Sequence, residues 1–168
     1  MNPELKLKMI EVEPHYWRVV YPEVVLKNES LFKQAKEFHT ADPTRAEKGY
    51  RQVMANCGEL YIDATSHLGM LLNNRKEGFG TMYIVQAYTQ ARLIFPDDFV
   101  EGRDLLVYES VGNGFILTAY YVMAMELTKV NKDQEALDIF GFLLKINPKD
   151  NHGAKRWTGV LRERIARK

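Results

Sequence analysis

Apolar residues recur every three or four positions from about residue 30 onward, a spacing typical of amphipathic helices. Caps and prolines mark the boundaries. Asp42 can accept a hydrogen bond from an unpaired backbone N–H, and Pro43 sits where its missing N–H costs nothing, so this dipeptide predicts a helix start. Pro96 and Pro148 predict helix ends, because proline disfavours helical geometry at the residue before it. Six helices are therefore predicted, over about 43–56, 60–75, 80–95, 115–130, 133–147 and 150–167.

The first 29 residues are different, because their β-branched and aromatic residues are interrupted by Pro14 and Pro22. Two structures fit this pattern: a short strand pair, or a proline-interrupted helical arm. We favour an arm over residues 1–29 that leads into a helix ending near His39. Its apolar content predicts that it packs against the helical domain, residues 30–168.

An internal repeat is centred on three prolines, Pro43, Pro96 and Pro148, which are spaced 53 and 52 residues apart. The last two follow similar frames, Tyr88, Ala91 and Ile94 in one copy and Phe140, Leu143 and Ile146 in the other. Repeats of this kind stack, because one helix pair cannot bury its apolar stripe alone.

The better copy, residues 117–150, resembles a tetratricopeptide repeat. The resemblance rests on large and small residues at the family's positions: Tyr120, Met123, Ala124, Leu127, Asn131, Ala136, Phe140, Leu143 and Pro148. A second segment, residues 65–98, has Leu68, Gly69, Leu72, Tyr88, Ala91 and Pro96 in similar roles. The resemblance implies an all-α fold: a short right-handed superhelix of antiparallel helix pairs, with about six helices plus the N-terminal arm.

Superhelices of this family have a concave surface that binds peptides or protein subunits. By resemblance, the groove-facing residues are Asp63, Ser66, Met70, Asn73 and Asn74 in the earlier segment and Thr118, Tyr121, Met125, Thr128 and Lys129 in the later one. The simpler interpretation is that they are solvated helix surface. The family's clamp for a peptide carboxylate needs a set of Lys, Asn and Arg of which only fragments, such as Asn73 and Lys129, are present, so that specificity is not predicted.

A rival hypothesis is a small helical metal-binding protein or enzyme. Glu59, Asp63 and His67 recur every four residues and share one helical face, and two carboxylates with a histidine could ligate a metal. One helix supplies only part of a metal site, so a surface pairing is the simpler interpretation. Cys57 with His67 or His39 could form a thiol and base pair, but its surroundings favour core packing. We therefore expect no catalytic residues and no cofactor.

Composition narrows the class of partner. The 168 residues include 23 basic and 22 acidic side chains, and this balance gives a formal net charge of +1, which argues against a nucleic-acid or anionic-membrane binder. The charges are nevertheless segregated, with −4 over residues 97–109 and +5 over residues 149–168. The basic end could meet an acidic partner or RNA, or could simply be the polar cap that a terminal repeat needs.

Partner and compartment follow from these observations. The single cysteine and the charged N-terminus predict a cytoplasmic protein with no signal peptide, and no stretch is apolar enough to predict a membrane span. We expect a non-enzymatic interaction module with a protein or peptide partner. Self-association through Tyr61, Tyr83 or Trp157 is a further possibility.

Overall fold

The computed structural model describes residues 6–110 and 112–168, and these residues contain eight α-helices, one 3-10 helix and three β-strands. The strands are β1 (Lys8–Glu13), β2 (Tyr16–Val20) and β3 (Leu105–Leu106). The helices are α1 (Glu23–Lys27), α2 (Glu29–Ala41), α3 (Pro43–Cys57), α4 (Ile62–Asn74), α5 (Gly80–Leu93), α6 (Asn113–Lys129), α7 (Asp133–Ile146) and α8 (Ala154–Ala166), with the 3-10 helix at Gly58–Leu60.

The described residues belong to two compact units. The first unit comprises residues 6–8 and 20–94, and the second comprises residues 9–19 and 95–168. The predicted arm therefore contributes to both units, and its first five residues lie outside the described part of the chain.

In the first unit, α2 packs against α3, α3 against α4, and α4 against α5. A single residue, Asp42, joins α2 to α3, and its carboxylate accepts a hydrogen bond from the backbone N–H of Arg45 at 3.0 Å. This is the N-cap that the sequence predicts, and Pro43 begins the helix. Two helices that pack along each other through so short a connection must run in opposite directions.

Two glycines bring α4 and α5 into close contact. A Cβ on Gly69 would lie 2.6 Å from Ile84 Cγ1 and 2.8 Å from the backbone oxygen of Gly80. Real Cβ atoms do not approach other atoms so closely, so no larger residue fits at this crossing. Gly69 is the small residue of the second repeat-like segment in the sequence.

In the second unit, α6 packs against α7 and α7 against α8. The strands lie in the order β1, β2, β3, and β2 runs parallel to β3 with Tyr16 opposite Leu105 and Trp17 opposite Leu106. The backbone N–H of Leu105 also donates to the carbonyl of His15 at 2.8 Å.

One buried side chain connects this sheet to α6. Asn113, the first residue of α6, is fully buried, and its Oδ1 accepts from the backbone N–H of Val19 at 3.0 Å. Its Nδ2 donates to the carbonyls of Trp17 at 2.9 Å and Val107 at 3.0 Å. The amide thus hydrogen-bonds to three backbone groups, of which those of Trp17 and Val19 are buried.

A buried carboxylate fixes the turn between β1 and β2. Asp104 accepts from Arg103 Nε at 2.7 Å and from the backbone N–H of Val100 at 2.7 Å, and it lies 3.0 Å from His15 Nδ1. The hydrogen bonds from Arg103 hold the pKa of Asp104 well below its usual value, and those from Val100 and His15 act in the same direction. The carboxylate therefore stays charged and keeps the 100–104 loop and the hairpin turn together.

The six predicted helices are all present, with ends close to those predicted, and the helix expected to end near His39 is α2. The all-α prediction is wrong about the strands. Residues 8–20 form the strand pair rather than the favoured helical arm, and β3 lies inside the acidic segment 97–109. β3 has only two residues, so its geometry depends on pairing with β2 and leaves no local pattern. None of the helices in the described part of the chain is long and apolar enough to cross a bilayer.

Candidate functional site

The predicted groove residues of the first unit do not all reach its surface. Asp63 and Ser66 are buried, with exposures of 3% and 1%, and Ser66 Oγ donates to the carbonyl of Ile62 at 3.1 Å. Met70 and Asn73 are half-buried and Asn74 is exposed. Asn73 Nδ2 donates to Thr81 Oγ1 at 3.2 Å. Asp63 and Ser66 therefore serve the interior of this unit rather than a ligand.

Asp63 belongs instead to a cluster that contains two histidines. His67 Nδ1 donates to the backbone oxygen of Asp63 at 2.9 Å and lies 3.2 Å from its carboxylate. His39 Nδ1 is hydrogen-bonded to Tyr50 Oη at 3.0 Å, and the rings of His39 and His67 are 5.8 Å apart. Burial lowers the pKa of His39, and the neighbouring His67 and Lys36 lower it further. Burial also raises the pKa of Tyr50.

The rival metal hypothesis draws no support from this cluster. Glu59 is exposed in the 3-10 helix, and its carboxylate accepts a hydrogen bond from Gln86 at 3.3 Å. In the part of the chain that the structure describes, no three His, Cys, Asp or Glu side chains are grouped so that they could hold a metal ion. Cys57 is buried with its Sγ 3.5 Å from the carbonyl of Val24. Burial raises the pKa of this thiol, which is the opposite of what a nucleophile needs.

The His39 environment predicts a pH dependence. The contribution of His39 to the stability of the first unit should be fully present above pH 6.5, the ordinary pKa of histidine. It should be lost as the pH falls from 6.5 toward the lowered pKa of folded His39. The reason is that the unfolded chain takes up a proton that the folded state resists. In His39→Gln this loss should be smaller. Hydrogen exchange of the α2 and α3 amides, measured on both sides of pH 6.5, tests it. His15→Gln, in the second unit, is the control, and an equal loss in wild type and His39→Gln would contradict the prediction.

The predicted groove residues of the second unit are more accessible. Thr118, Tyr121 and Met125 are half-buried and share one face of α6. Thr128 is buried, and its Oγ1 donates to the carbonyl of Met125 at 2.7 Å. Lys129 is exposed and forms an ion pair with Glu126. Of these five residues, Thr118 and Tyr121 contact residues outside α6.

Those contacts define what we call the α6–α8 patch: Tyr108, Thr118, Tyr121, His152 and Trp157. Trp157 Nε1 donates to Tyr121 Oη at 3.2 Å, and Thr118 Oγ1 is hydrogen-bonded to His152 Nε2 at 3.2 Å. The His152 ring lies 5.5 Å from that of Tyr121 and 5.4 Å from that of Tyr108. Each member therefore contacts at least one other member.

The patch lies on a buried aromatic ring. Phe140 is fully buried, the Trp157 ring stacks on it at 6.5 Å, and the Tyr121 ring meets it at 5.7 Å. All five patch residues are half-buried or exposed, so they combine a fixed position with access to solvent. Aromatic side chains held in this way are typical of the centres of protein interfaces.

Helical spacing placed only Thr118 and Tyr121 on this surface. The sequence offers Trp157 as a residue for self-association, but no spacing connects it to Thr118 or Tyr121. Tyr108 and His152 lie in loops, where spacing carries no information about facing direction. Tyr61, another aromatic residue considered for self-association, is fully buried, and the Tyr83 hydroxyl accepts a hydrogen bond from Arg51 at 3.3 Å.

The segregated charges of the second unit partly neutralise each other. Lys145 pairs with Glu101 at 2.8 Å and Lys149 pairs with Glu109 at 3.0 Å, so the acidic segment is tied to the end of α7 and the loop after it. Among the described residues, no carboxylate pairs with the three exposed cations Lys155, Arg156 and Arg162 of α8. Lys155, Arg156 and Trp157 are consecutive residues in the first turn of α8, so this turn combines two cations with a patch residue.

Comparisons with protein-family models, with curated proteins and with solved structures found no match to this chain. Its function is therefore argued from its own residues.

Proposed function

We propose that this chain is a non-enzymatic interaction module, a short superhelix similar to tetratricopeptide repeats, and that it binds a peptide or subunit of another protein through the α6–α8 patch. The single observation that carries the proposal is the set of solvent-accessible, mostly aromatic side chains that are joined by hydrogen bonds and ring contacts above buried Phe140. Within each unit, successive helices pack against each other, α2 to α5 in the first unit and α6 to α8 in the second, and this packing supports the repeat-like part of the proposal.

The arrangement favours binding for an entropic reason. A free side chain loses rotamer freedom when a partner immobilises it, and this loss reduces affinity. Tyr121 and Trp157 are already restrained by their mutual hydrogen bond and by their contacts with Phe140. Most of the ordering cost is therefore met during folding, and the rings are available as rigid apolar contact area.

Charge indicates the chemistry of the partner. The first turn of α8 carries Lys155 and Arg156 together with the patch residue Trp157, so a segment with both apolar or aromatic and acidic side chains fits this end of the helix best. The metal or enzyme alternative based on Glu59, Asp63 and His67 has less support, because the Glu59 carboxylate is bonded to Gln86 rather than to the histidine cluster.

Site-specific photo-crosslinking tests this function. A benzophenone amino acid at Met125, on the same face of α6 as Tyr121, should form one dominant protein adduct in extracts of the cells that make the chain. Tyr121→Ala should lower the adduct yield at least about tenfold, because truncating an aromatic residue at an interface centre costs on the order of 2 kcal/mol. Tyr121→Phe, which loses only the hydrogen bond to Trp157, should lower it less.

The matched control is Asp138, an exposed residue on α7 outside the patch. The crosslinker at Asp138 should not give the Met125 adduct, and Asp138→Ala should leave that adduct unchanged. Tryptophan fluorescence confirms that each variant is folded. The proposal fails if no adduct forms at Met125, if Tyr121→Ala leaves its yield unchanged, or if the same adduct forms at Asp138.

A further inference from the structure

A groove runs between α2 and α3 in the first unit. Each helix contributes four residues to the lining, spaced i, i+3, i+4 and i+7, so the four lie on one face of that helix. The lining residues are Leu31, Gln34, Ala35 and Phe38 on α2, and Arg45, Lys48, Gly49 and Gln52 on α3. The open space between them has a volume of about 310 Å³. We call it the α2–α3 groove.

Small residues form the floor of this groove. A Cβ on Gly49 would lie 2.7 Å from Ala35 Cβ, so the two helices almost touch at this level. Leu31 and Phe38 are half-buried beside Ala35 and make the α2 wall apolar. From Leu31 to Phe38 the wall is about 10 Å long, or two helical turns. Because the floor carries no large side chain, the backbone of a further helix can approach closely.

The α3 wall is cationic. Arg45 and Lys48 are exposed, and neither pairs with a carboxylate in the described part of the chain. The Arg45 guanidinium lies 3.8 Å above the centre of the Phe38 ring, so its charge is held over the apolar wall. No acidic residue lines the groove. Glu47 is engaged elsewhere, by Arg51 and Arg75, each at 2.7 Å.

We propose that the α2–α3 groove binds an amphipathic helix of a partner protein, with an apolar stripe against Leu31 and Phe38 and acidic side chains at Arg45 and Lys48. Helices dock into grooves between helices through apolar residues at this spacing. α4 already packs against α3. A partner helix in the groove would extend this stack, because helical stacks grow by adding one more helix to an open face.

The charge balance of the first unit favours protein over nucleic acid. Residues 20–94, which contain the groove, have nine basic and eight acidic side chains, so the two groove cations stand in a nearly neutral stretch of chain. A phosphate backbone would need a broader basic surface. Two fixed cations beside an apolar wall suit a few carboxylates on one edge of a helix. The inference is independent of the α6–α8 patch, which belongs to the second unit.

A defined pair of peptides tests the inference on the full chain. One probe is a lactam-stapled helical peptide of about 16 residues, with leucines along one stripe and glutamates along the adjoining edge. The other is identical except that lysine replaces each glutamate. Fluorescence anisotropy should show that the acidic peptide binds at least about tenfold more tightly than the lysine peptide, with an affinity that falls as salt is added.

Charge reversal locates the binding. In the double variant Arg45→Glu/Lys48→Glu the preference should invert, so that the lysine peptide binds more tightly. The control Lys33→Glu/Lys76→Glu makes the same change in net charge at exposed lysines outside the groove and should keep the wild-type preference. Gln34→Trp, which fills the groove without changing its charge, should weaken binding of the acidic peptide at least about tenfold.

Four results would overturn the inference: no binding of the acidic peptide, equal binding of both peptides, the same loss in the control as in the groove variant, or no effect of Gln34→Trp. A homodimer in light scattering that Gln34→Trp abolishes would also overturn it, by assigning the groove to a second copy of the chain. Tyr121→Ala should not affect binding of the peptide. If the α2–α3 groove binds no peptide, the proposed function of the α6–α8 patch is unaffected, and if the crosslinking test of the patch fails, the inference about the groove is unaffected.

Discussion

Asn113→Ala is expected to lower the free energy of unfolding of the second unit by about 3 to 5 kcal/mol, because leaving a buried donor or acceptor without a partner costs about 1 to 3 kcal/mol. Alanine would leave two such groups, the N–H of Val19 and the carbonyl of Trp17, and would also remove the bond to the part-buried carbonyl of Val107. These groups belong to β2 and to the segment before α6. We therefore expect the strands to separate from α6 before the helices melt.

Tryptophan fluorescence during urea unfolding measures this loss directly, because the only two tryptophans, Trp17 and Trp157, both lie in the second unit. Asn113→Asp should be nearly as damaging as alanine, since a carboxylate accepts from Val19 but cannot donate to the two carbonyls. Gln134→Ala, at an exposed position on α7, should change stability by less than about 0.5 kcal/mol. A loss below about 1 kcal/mol in Asn113→Ala would show that the amide is not the connection described.

Gly69→Ala is expected to destabilise the first unit by about 1 to 3 kcal/mol, the usual cost of overpacking. The added methyl would lie 2.8 Å from the backbone oxygen of Gly80 and 2.6 Å from Ile84 Cγ1. A flexible side chain could move away, but the Gly80 carbonyl belongs to the first turn of α5. The two helices must therefore separate, which opens the contact between them.

Gly141→Ala is the matched control, because Gly141 is also helical and a Cβ there would meet nothing within 4 Å. It should stabilise the second unit by about 0.5 to 1 kcal/mol, since alanine is the better helix former. Hydrogen exchange of the α4 and α5 amides reports on Gly69→Ala, and tryptophan fluorescence reports on Gly141→Ala. Stabilisation by both substitutions would mean that helix propensity, rather than the close approach at Gly69, decides both.

The helices can be predicted from the sequence and β3 cannot, because the signals that determine them act over different distances along the chain. The Asp42 cap and the stops at Pro96 and Pro148 act on backbone groups within a few residues, so a reader of the sequence can place those helix ends. β3 depends on pairing with β2, which lies far away in the sequence. No local pattern marks Leu105–Leu106 as a strand.

The candidate sites divide in the same way. Helical spacing put Thr118 and Tyr121 on one face of α6, and both contribute to the α6–α8 patch. The same spacing put Asp63 and Ser66 on a predicted groove face, yet both are buried. Periodicity identifies residues that share a face, but which faces are covered depends on how neighbouring helices pack.

The sequence by itself determined the helices, their boundaries and the segregation of charge, because capping, proline geometry and periodicity are properties of short stretches of chain. The tertiary structure alone decided that Lys145 and Lys149 neutralise Glu101 and Glu109, and that His152 and Trp157 join Tyr121 above Phe140. It also decided that Asn113 and Asp104 hold the strands. These interactions join residues from separate elements, and their energy depends on distances that exist only once the chain has folded.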